Sequence, residues 1–418
     1  MRIHHLLVIF LLLSSAWLPG QARAEGLQPN DVVVVCGDSI TEQRRYSVMI
    51  EDYLLMCQPA PHLQVVQMGW NGETATGFLA RMKNDALPFH PTVVTTCFGM
   101  NDGGYEPMDS ERSEKYRHSM DALVNEFKKA GVSRMVVGSP GVVDPDTHKK
   151  SDPAVRNRNL AALKAVAEAV AGQNGVPFAN VHDVMMDVMT KAKAQYGHTY
   201  SLAGIDGVHP SRNGHLIMAY AFLKALKCPG EIGVISYDMK SDRAEATEGH
   251  KVLAASGGSL EIESSKYPFC LYGAPSDPDG TRGISEFFPF NEDLNRFLLV
   301  VKNSPTPKVK VTWGGQTKAF DAAALSKGIN LAAEFPDNPF SQPFAAVEQK
   351  IREQQDYEVI AVKSLLHSLI AWNEQVPEFA EQYGRQALQV VAKSKNLREK
   401  AQAAVVPVKH RLVIQPAD

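Results

Sequence analysis

Between Asp31 and Lys227 the sequence alternates short strand-forming runs with longer stretches of helical period, and this alternation constrains the fold more than any other feature. The runs are Val32–Cys36, Leu63–Gln67, Thr92–Phe98, Met135–Gly138 and Pro177–Asn180. Strands separated by helix-length segments pair in parallel and have both faces covered, because each parallel pair needs a long crossover connection. Between them, Tyr116, Met120, Leu123, Val124 and Phe127 form one apolar stripe at spacings of three and four, and Leu160, Leu163, Val166, Ala167 and Val170 form another. A last helix from about Ser211 to Lys227 carries Leu216, Tyr220, Leu223 and Leu226 on one side, with Ser211 placed to cap it. The first half of the chain is therefore expected to be an α/β domain.

After Cys228-Pro229-Gly230 the character changes. Short alternating runs, Ser259–Glu263, Phe297–Lys302 and Lys308–Thr312, are punctuated by Ser-Gly-Gly and Pro-Ser-Asp-Pro-Asp-Gly turns and read as antiparallel strands of a β-sandwich-like region. From about Phe344 to Ala404 the period is helical again, broken at Pro377, and includes Ile360, Lys363, Leu366, His367 and Ile370. The expected division is residues 25–229 for the α/β domain, 230–340 for a β-rich accessory region and 341–418 for a helical C-terminal region packed back on the body.

The segment 1–24 is set apart from fold reasoning. Arg2, the apolar run Leu6–Leu13 and Ala22-Arg23-Ala24 have the order of a secretory signal with cleavage near Ala24. The run is far shorter than the ~20 residues that span a bilayer, so an exported, periplasmic or extracellular protein without stable membrane insertion is expected. With 43 Lys and Arg against 46 Asp and Glu among 418 residues, the chain is near neutrality, which argues against nucleic acid as a partner. Its five cysteines are too few and scattered for a disulfide framework and read as buried thiols. Neither zinc spacing nor a phosphate-binding glycine loop occurs, so no metal and no cofactor is expected.

Four short islands carry the chemistry. Gly37-Asp38-Ser39-Ile40-Thr41 follows the first strand, where ligands of parallel sheets bind, and offers a serine at a strand-to-helix turn. Gly69-Trp70-Asn71-Gly72-Glu73-Thr74 follows the second and supplies glycines whose N–H groups are open to a substrate oxygen. Gly99-Met100-Asn101-Asp102-Gly103 follows the third and adds an amide donor. In Asp206-Gly207-Val208-His209-Pro210 a carboxylate precedes an imidazole by three residues, a spacing that lets one turn deliver a general base and the group that orients it. Each island alone suits an ordinary turn; their ordered coincidence does not.

On these four blocks the chain resembles the SGNH hydrolase family, also called GDSL esterases and lipases, over roughly residues 30–228. The resemblance implies a three-layer α/β/α domain with a flavodoxin-like parallel sheet and a serine hydrolase acting on carboxylic esters. It also implies Ser39 as nucleophile, His209 as base and Asp206 as its partner, with an oxyanion hole of the Ser39 N–H, the Gly72 N–H and the Asn101 amide. Gly69 is an alternative to Gly72, but the Asn-Gly-Glu-Thr context favours Gly72. Residue 41 is Thr where the nucleophile elbow of α/β-hydrolases has a second glycine, which separates the two.

The family includes carbohydrate O-acetylesterases, arylesterases, lipases and thioesterases. Export and the appended β-rich half point toward an acetylated polysaccharide as substrate, with Trp70, Met100 and Tyr105 as residues of the substrate site. An arylesterase, a lipase or an acyltransferase of the same family is an alternative, as is a non-enzymatic carbohydrate-binding protein on a hydrolase fold. The oligomeric state is left open.

Overall fold

The computed structural model describes residues 26–417; the expected export signal lies outside them. Five parallel strands, β1 (Val32–Gly37), β2 (Gln64–Gly69), β3 (Val93–Cys97), β4 (Arg134–Gly138) and β5 (Phe178–Ala179), stand in the order β2-β1-β3-β4-β5. This is the flavodoxin-like arrangement. Side-chain alternation divides it into layers. Val33 and Val35 face one core with α1 (Ser39–Glu42), α2 (Tyr46–Asp52), α6 (Val181–Tyr196) and α7 (Arg212–Ala225). Val34 and Cys36 face the other with α3 (Ala75–Asp85), α4 (Ser110–Lys129) and α5 (Pro153–Asn174). All five cysteines are buried free thiols.

The second half builds two more sheets. In the first, β6 (Glu231–Asp238) and β7 (Arg243–Ala246) join β10 (Arg296–Lys302) and β13 (Ile329–Asn330). The second has β8 (His250–Ser256), β9 (Ser259–Ser264), β11 (Lys308–Trp313), β12 (Gln316–Asp321) and β14 (Val408–Ala417). Phe297 of β10 meets Trp313 of β11 and His410 of β14 across the gap, so the two sheets share a core. Short helices α8 (Phe290–Leu294), α9 (Ala322–Lys327) and α10 (Leu331–Glu334) fill the connections.

Two expectations are corrected. Phe297–Lys302 is expected to pair antiparallel, and β10 does so with β13, but on its other edge it runs parallel to β6 because the 57-residue stretch between them crosses over rather than turning back. The region 341–418 is helical only to Ala403, through α11 (Ser341–Ala361), α12 (His367–Gln375) and α13 (Ala380–Ala403). Val408–Ala417 enters the accessory sheet as β14, a central strand between β11 and β9. Val408, His410, Leu412 and Ile414 alternate inward there, a period-two pattern that its position behind a long helix obscures.

Helices α11 and α13 cover the edge of β2. The Gln67 N–H donates to Glu358 Oε2 at 3.0 Å, Gln354 Nε2 donates to Val65 O at 3.0 Å, and Gln402 Nε2 donates to Leu63 O at 2.7 Å. Side chains thus take the ladder positions a sixth strand would fill, which closes an edge otherwise open to aggregation.

Candidate active site

Ser39 opens α1, so its N–H is one of the helix's first four and has no helical acceptor. Asp38 caps the helix by accepting from the Ile40 N–H at 3.0 Å. That carboxyl is buried, and burial, aided by nearby Asp102 and Glu73, lifts its pKa up to about 7 against the opposing Ile40 hydrogen bond. Beneath the turn, β2 passes so close to α1 that a Cβ on Gly69 would collide with the Glu42 N–H and the Thr41 carbonyl carbon. The role this explains for Gly69 is close backbone approach.

His209 reaches the serine from the other side. Its Nε2 lies 2.8 Å from Ser39 Oγ, and its Nδ1 lies 2.6 Å from Asp206 Oδ2. The other oxygen of Asp206 accepts from the backbone N–H groups of Val208 and His209, each at 2.9 Å. Partial burial raises the Asp206 pKa, but these bonds outweigh it and hold the carboxylate below its usual range. The turn needs glycine twice: at Gly204 (φ +76°) a Cβ would strike the His209 carbonyl, and at Gly207 (φ +73°) the His148 backbone. An imidazole held between a carboxylate and a hydroxyl in this order is set to take the hydroxyl proton.

The other two islands meet beside the serine turn. Gly72 sits at φ +75°, and among the described residues nothing accepts from its N–H. The turn bearing it is tied at three points. Glu42 Oε2 accepts from the Asn71 N–H, Asn101 Nδ2 donates to Glu73 O at 2.8 Å, and Glu73 Oε2 pairs with Arg81 at 2.6 Å. Asp102 joins the second and third islands by accepting from the Ala75 and Gly99 N–H groups, each at 3.0 Å. Burial foremost lifts its pKa to about 6.

A cavity of about 340 Å³ opens beside the serine, lined by Ser39, Glu42, Gln43, Arg44, Asn71 and His209. Gln43 is held by buried His215, whose Nε2 lies 2.9 Å from Gln43 Oε1. Burial, with Arg45 and His209 nearby, depresses the His215 pKa far below the ordinary histidine value, so it is a neutral hydrogen-bonding group.

None of the three residues expected at the substrate site lines this cavity. Met100 is 3% exposed, its carbonyl held by Arg156 Nη2 at 2.9 Å. Tyr105 is exposed but stacks on the Arg156 guanidinium. The half-buried Trp70 ring is covered by Arg81 at 4.8 Å, Lys363 at 5.0 Å and His367 at 4.8 Å. Sequence reasoning passed over Glu42, Gln43, Arg81 and Lys363. Arg81 left a trace, being a charge in the stripe Ala75, Phe78, Met82 and Asp85 that α3 turns inward. Lys363 left a similar trace, a charge in the helical-period run with Ile360 and Leu366, but nothing in the sequence ties it to Ser39, 324 positions away. Among the described residues no group of three or more His, Cys, Asp or Glu side chains is disposed to hold a metal ion, and no helix is long and apolar enough to cross a membrane.

Residues 17–217 match the GDSL-like lipase/acylhydrolase family. An acetylxylan esterase of Geobacillus stearothermophilus is 25% identical over 211 residues, 46% of this chain and 91% of the relative. The crystal structure of an acetylxylan esterase from that organism aligns at 22% identity with a TM-score of 0.40, over 48% of this chain and 96% of the other. A gut microbial diltiazem-metabolizing enzyme aligns at 23% identity with a TM-score of 0.70, over 94% of this chain and 98% of the other. The β-rich and helical parts are therefore shared with a solved structure as one fold.

Proposed function

Since residues 17–217 belong to the GDSL-like lipase/acylhydrolase family, an ester-hydrolysing one, we propose that this protein is a serine esterase that removes acetyl groups from a carbohydrate. In this reading Ser39 attacks the ester carbonyl as His209 takes its proton, and Asp206 holds the imidazole tautomer and balances the charge that forms on it. The tetrahedral oxyanion is met by the N–H groups of Ser39 and Gly72 and by the Asn101 amide. His209 then gives that proton to the sugar oxygen as its bond to the acyl carbon breaks, releasing the free hydroxyl, and water clears the acetyl-enzyme by the same route. The observation that carries the reading is the continuous contact from Ser39 Oγ through His209 to Asp206, at 2.8 and 2.6 Å.

The choice of a short acyl group rests on the cavity, whose lining offers Glu42, Gln43, Arg44 and Asn71 and no apolar wall for a fatty chain. The likeness to an acetylxylan esterase favours a sugar as the alcohol. Export through residues 1–24, with the α/β domain ending near residue 229, belongs to the same reading. N-terminal mass analysis of secreted protein checks the first point, with Glu25 expected as the new terminus. The function itself is tested with acetylated xylan and nitrophenyl esters of increasing chain length, using Ser39→Ala as blank. Acetate release with a steep fall beyond short acyl chains is expected. Preference for long chains, or turnover that survives in the blank, would overturn the proposal, and acetyl transfer to added sugar in place of acetate release would make it an acyltransferase.

A further inference from the structure

We propose that Lys363, from the C-terminal helices, is a positioning residue for the oxyanion turn Trp70–Glu73 and acts on it through Glu42, an inference that rests on the esterase reading above. Lys363 Nζ lies 2.6 Å from Glu42 Oε1, and Glu42 Oε2 accepts from the Asn71 N–H, one residue before Gly72. A carboxylate with one oxygen on each partner has its plane fixed. The ammonium also covers the ring of Trp70, whose carbonyl accepts from the Glu73 N–H at 3.1 Å and so closes the turn. Lysine, glutamate and turn form one connected unit that ends at the N–H assigned to the oxyanion.

The unit is anchored at both ends. On the Lys363 side, α11 is docked on β2 by Glu358 and Gln354, five and nine residues upstream. The backbone of Val362–Leu366 then widens into a π-helical turn, an irregularity that frequently marks functional sites. On the far side Arg81 ties Glu73 Oε2 and pairs with Asp85, whose Oδ2 also contacts His367 Nδ1 at 3.1 Å. The oxyanion turn is thus gripped between α3 and the segment 363–367. An isolated surface ion pair contributes little to stability, so a link of this kind has its main consequence in geometry. Donors a fraction of an ångström out of place lose much of their worth to a transition state while hardly changing substrate affinity.

The test compares Lys363→Met, which keeps the aliphatic stem, with Lys363→Arg, which keeps the charge, and with Glu42→Gln. Millisecond hydrogen exchange reads the Asn71 amide without any substrate, steady-state hydrolysis of nitrophenyl acetate reads kcat and KM, and a thermal melt reports folding. Lys363→Met is expected to exchange Asn71 at least several-fold faster and to lower kcat about 10-fold with KM nearly unchanged, short of the 10²–10³ for deleting a donor outright. Lys363→Arg should recover most of both, and Lys363→Met should add little on top of Glu42→Gln. Unchanged exchange at Asn71, or a rise in KM alone, would overturn the proposal, the latter by making Lys363 a substrate contact. If native protein and Ser39→Ala turn over esters equally, the esterase reading fails instead, while the exchange data still decide whether Lys363 orders the turn.

Discussion

The two sides of the Ser39–His209 contact are built on opposite plans. On the serine side the chain is buried and tied many times over: Asp38 and Thr41 lie within the core, Gly69 lets β2 press on α1, and the Trp70–Glu73 turn is fastened by Glu42, Asn101 and Arg81. On the histidine side a turn of four residues stands half in solvent, with His209 32% and Asp206 41% exposed at the side chain. Fixed dipoles are most useful where negative charge develops, because they need no reorganisation during the reaction. In the proposed reaction the base carries a proton from one oxygen to another, and the proposal assigns its aim to a single carboxylate in a short turn.

The carboxylates follow the same division, since burial lifts Asp38 to about 7 while the hydrogen bonds from His209 and Val208 overcome partial burial and lower Asp206.

Substitutions on both sides sharpen this contrast, beginning with the largest expected effect. Ser39→Ala should lower kcat on the order of 10⁵- to 10⁶-fold, the scale on which a nucleophile acting as a unit with its base is lost. Asp206→Asn should cost about 10⁴, because the imidazole would be held in the wrong tautomer; a loss below tenfold would show that this turn aims the base without its carboxylate. Asn101→Ala should cost about 10²–10³ in kcat with little change in KM. A rise in KM without loss of kcat would mean that the amide binds ground state and not oxyanion.

A smaller effect separates the two carboxylates by pH. Asp38 has a folded-state pKa above its unfolded value, so its contribution to stability is fully present below about 4 and is lost as pH rises through about 7. Asp38→Asn, which still caps α1, should therefore gain stability at pH 8 relative to pH 5, by roughly 1–4 kcal/mol. Asp206 is lowered, so its contribution is present above the unfolded value near 4 and is lost only as pH falls through its folded value. Asp206→Asn should leave the pH 5 to 8 slope of the melting temperature as it is. Parallel changes in slope for the two variants would break the comparison.

Much of the α/β domain was legible because its signals are local. Val-rich runs, helical stripes and the four islands each lie within a few residues, and strand order follows from the resemblance they carry. The cover of the site was not legible. Glu42 reads as an ordinary helix residue until Lys363 is brought to it, and the edge of β2 is capped by Gln354, Glu358 and Gln402, polar residues that look like a solvated helix face in sequence. Trp70 and Tyr105 read as open aromatic faces because nothing in their neighbourhood announces Lys363, His367 or Arg156 above them. Long-range pairing of polar groups leaves no periodicity to detect.

The central claim is that Ser39 becomes the acyl carrier because His209 takes its proton. Rapid quenching of the protein with nitrophenyl acetate, followed by peptide mass analysis, reads this directly. An acetyl group is expected on the peptide bearing Ser39 in the native protein and absent from His209→Ala. Acetyl on another residue, or an equal amount on Ser39 without the imidazole, would contradict the account.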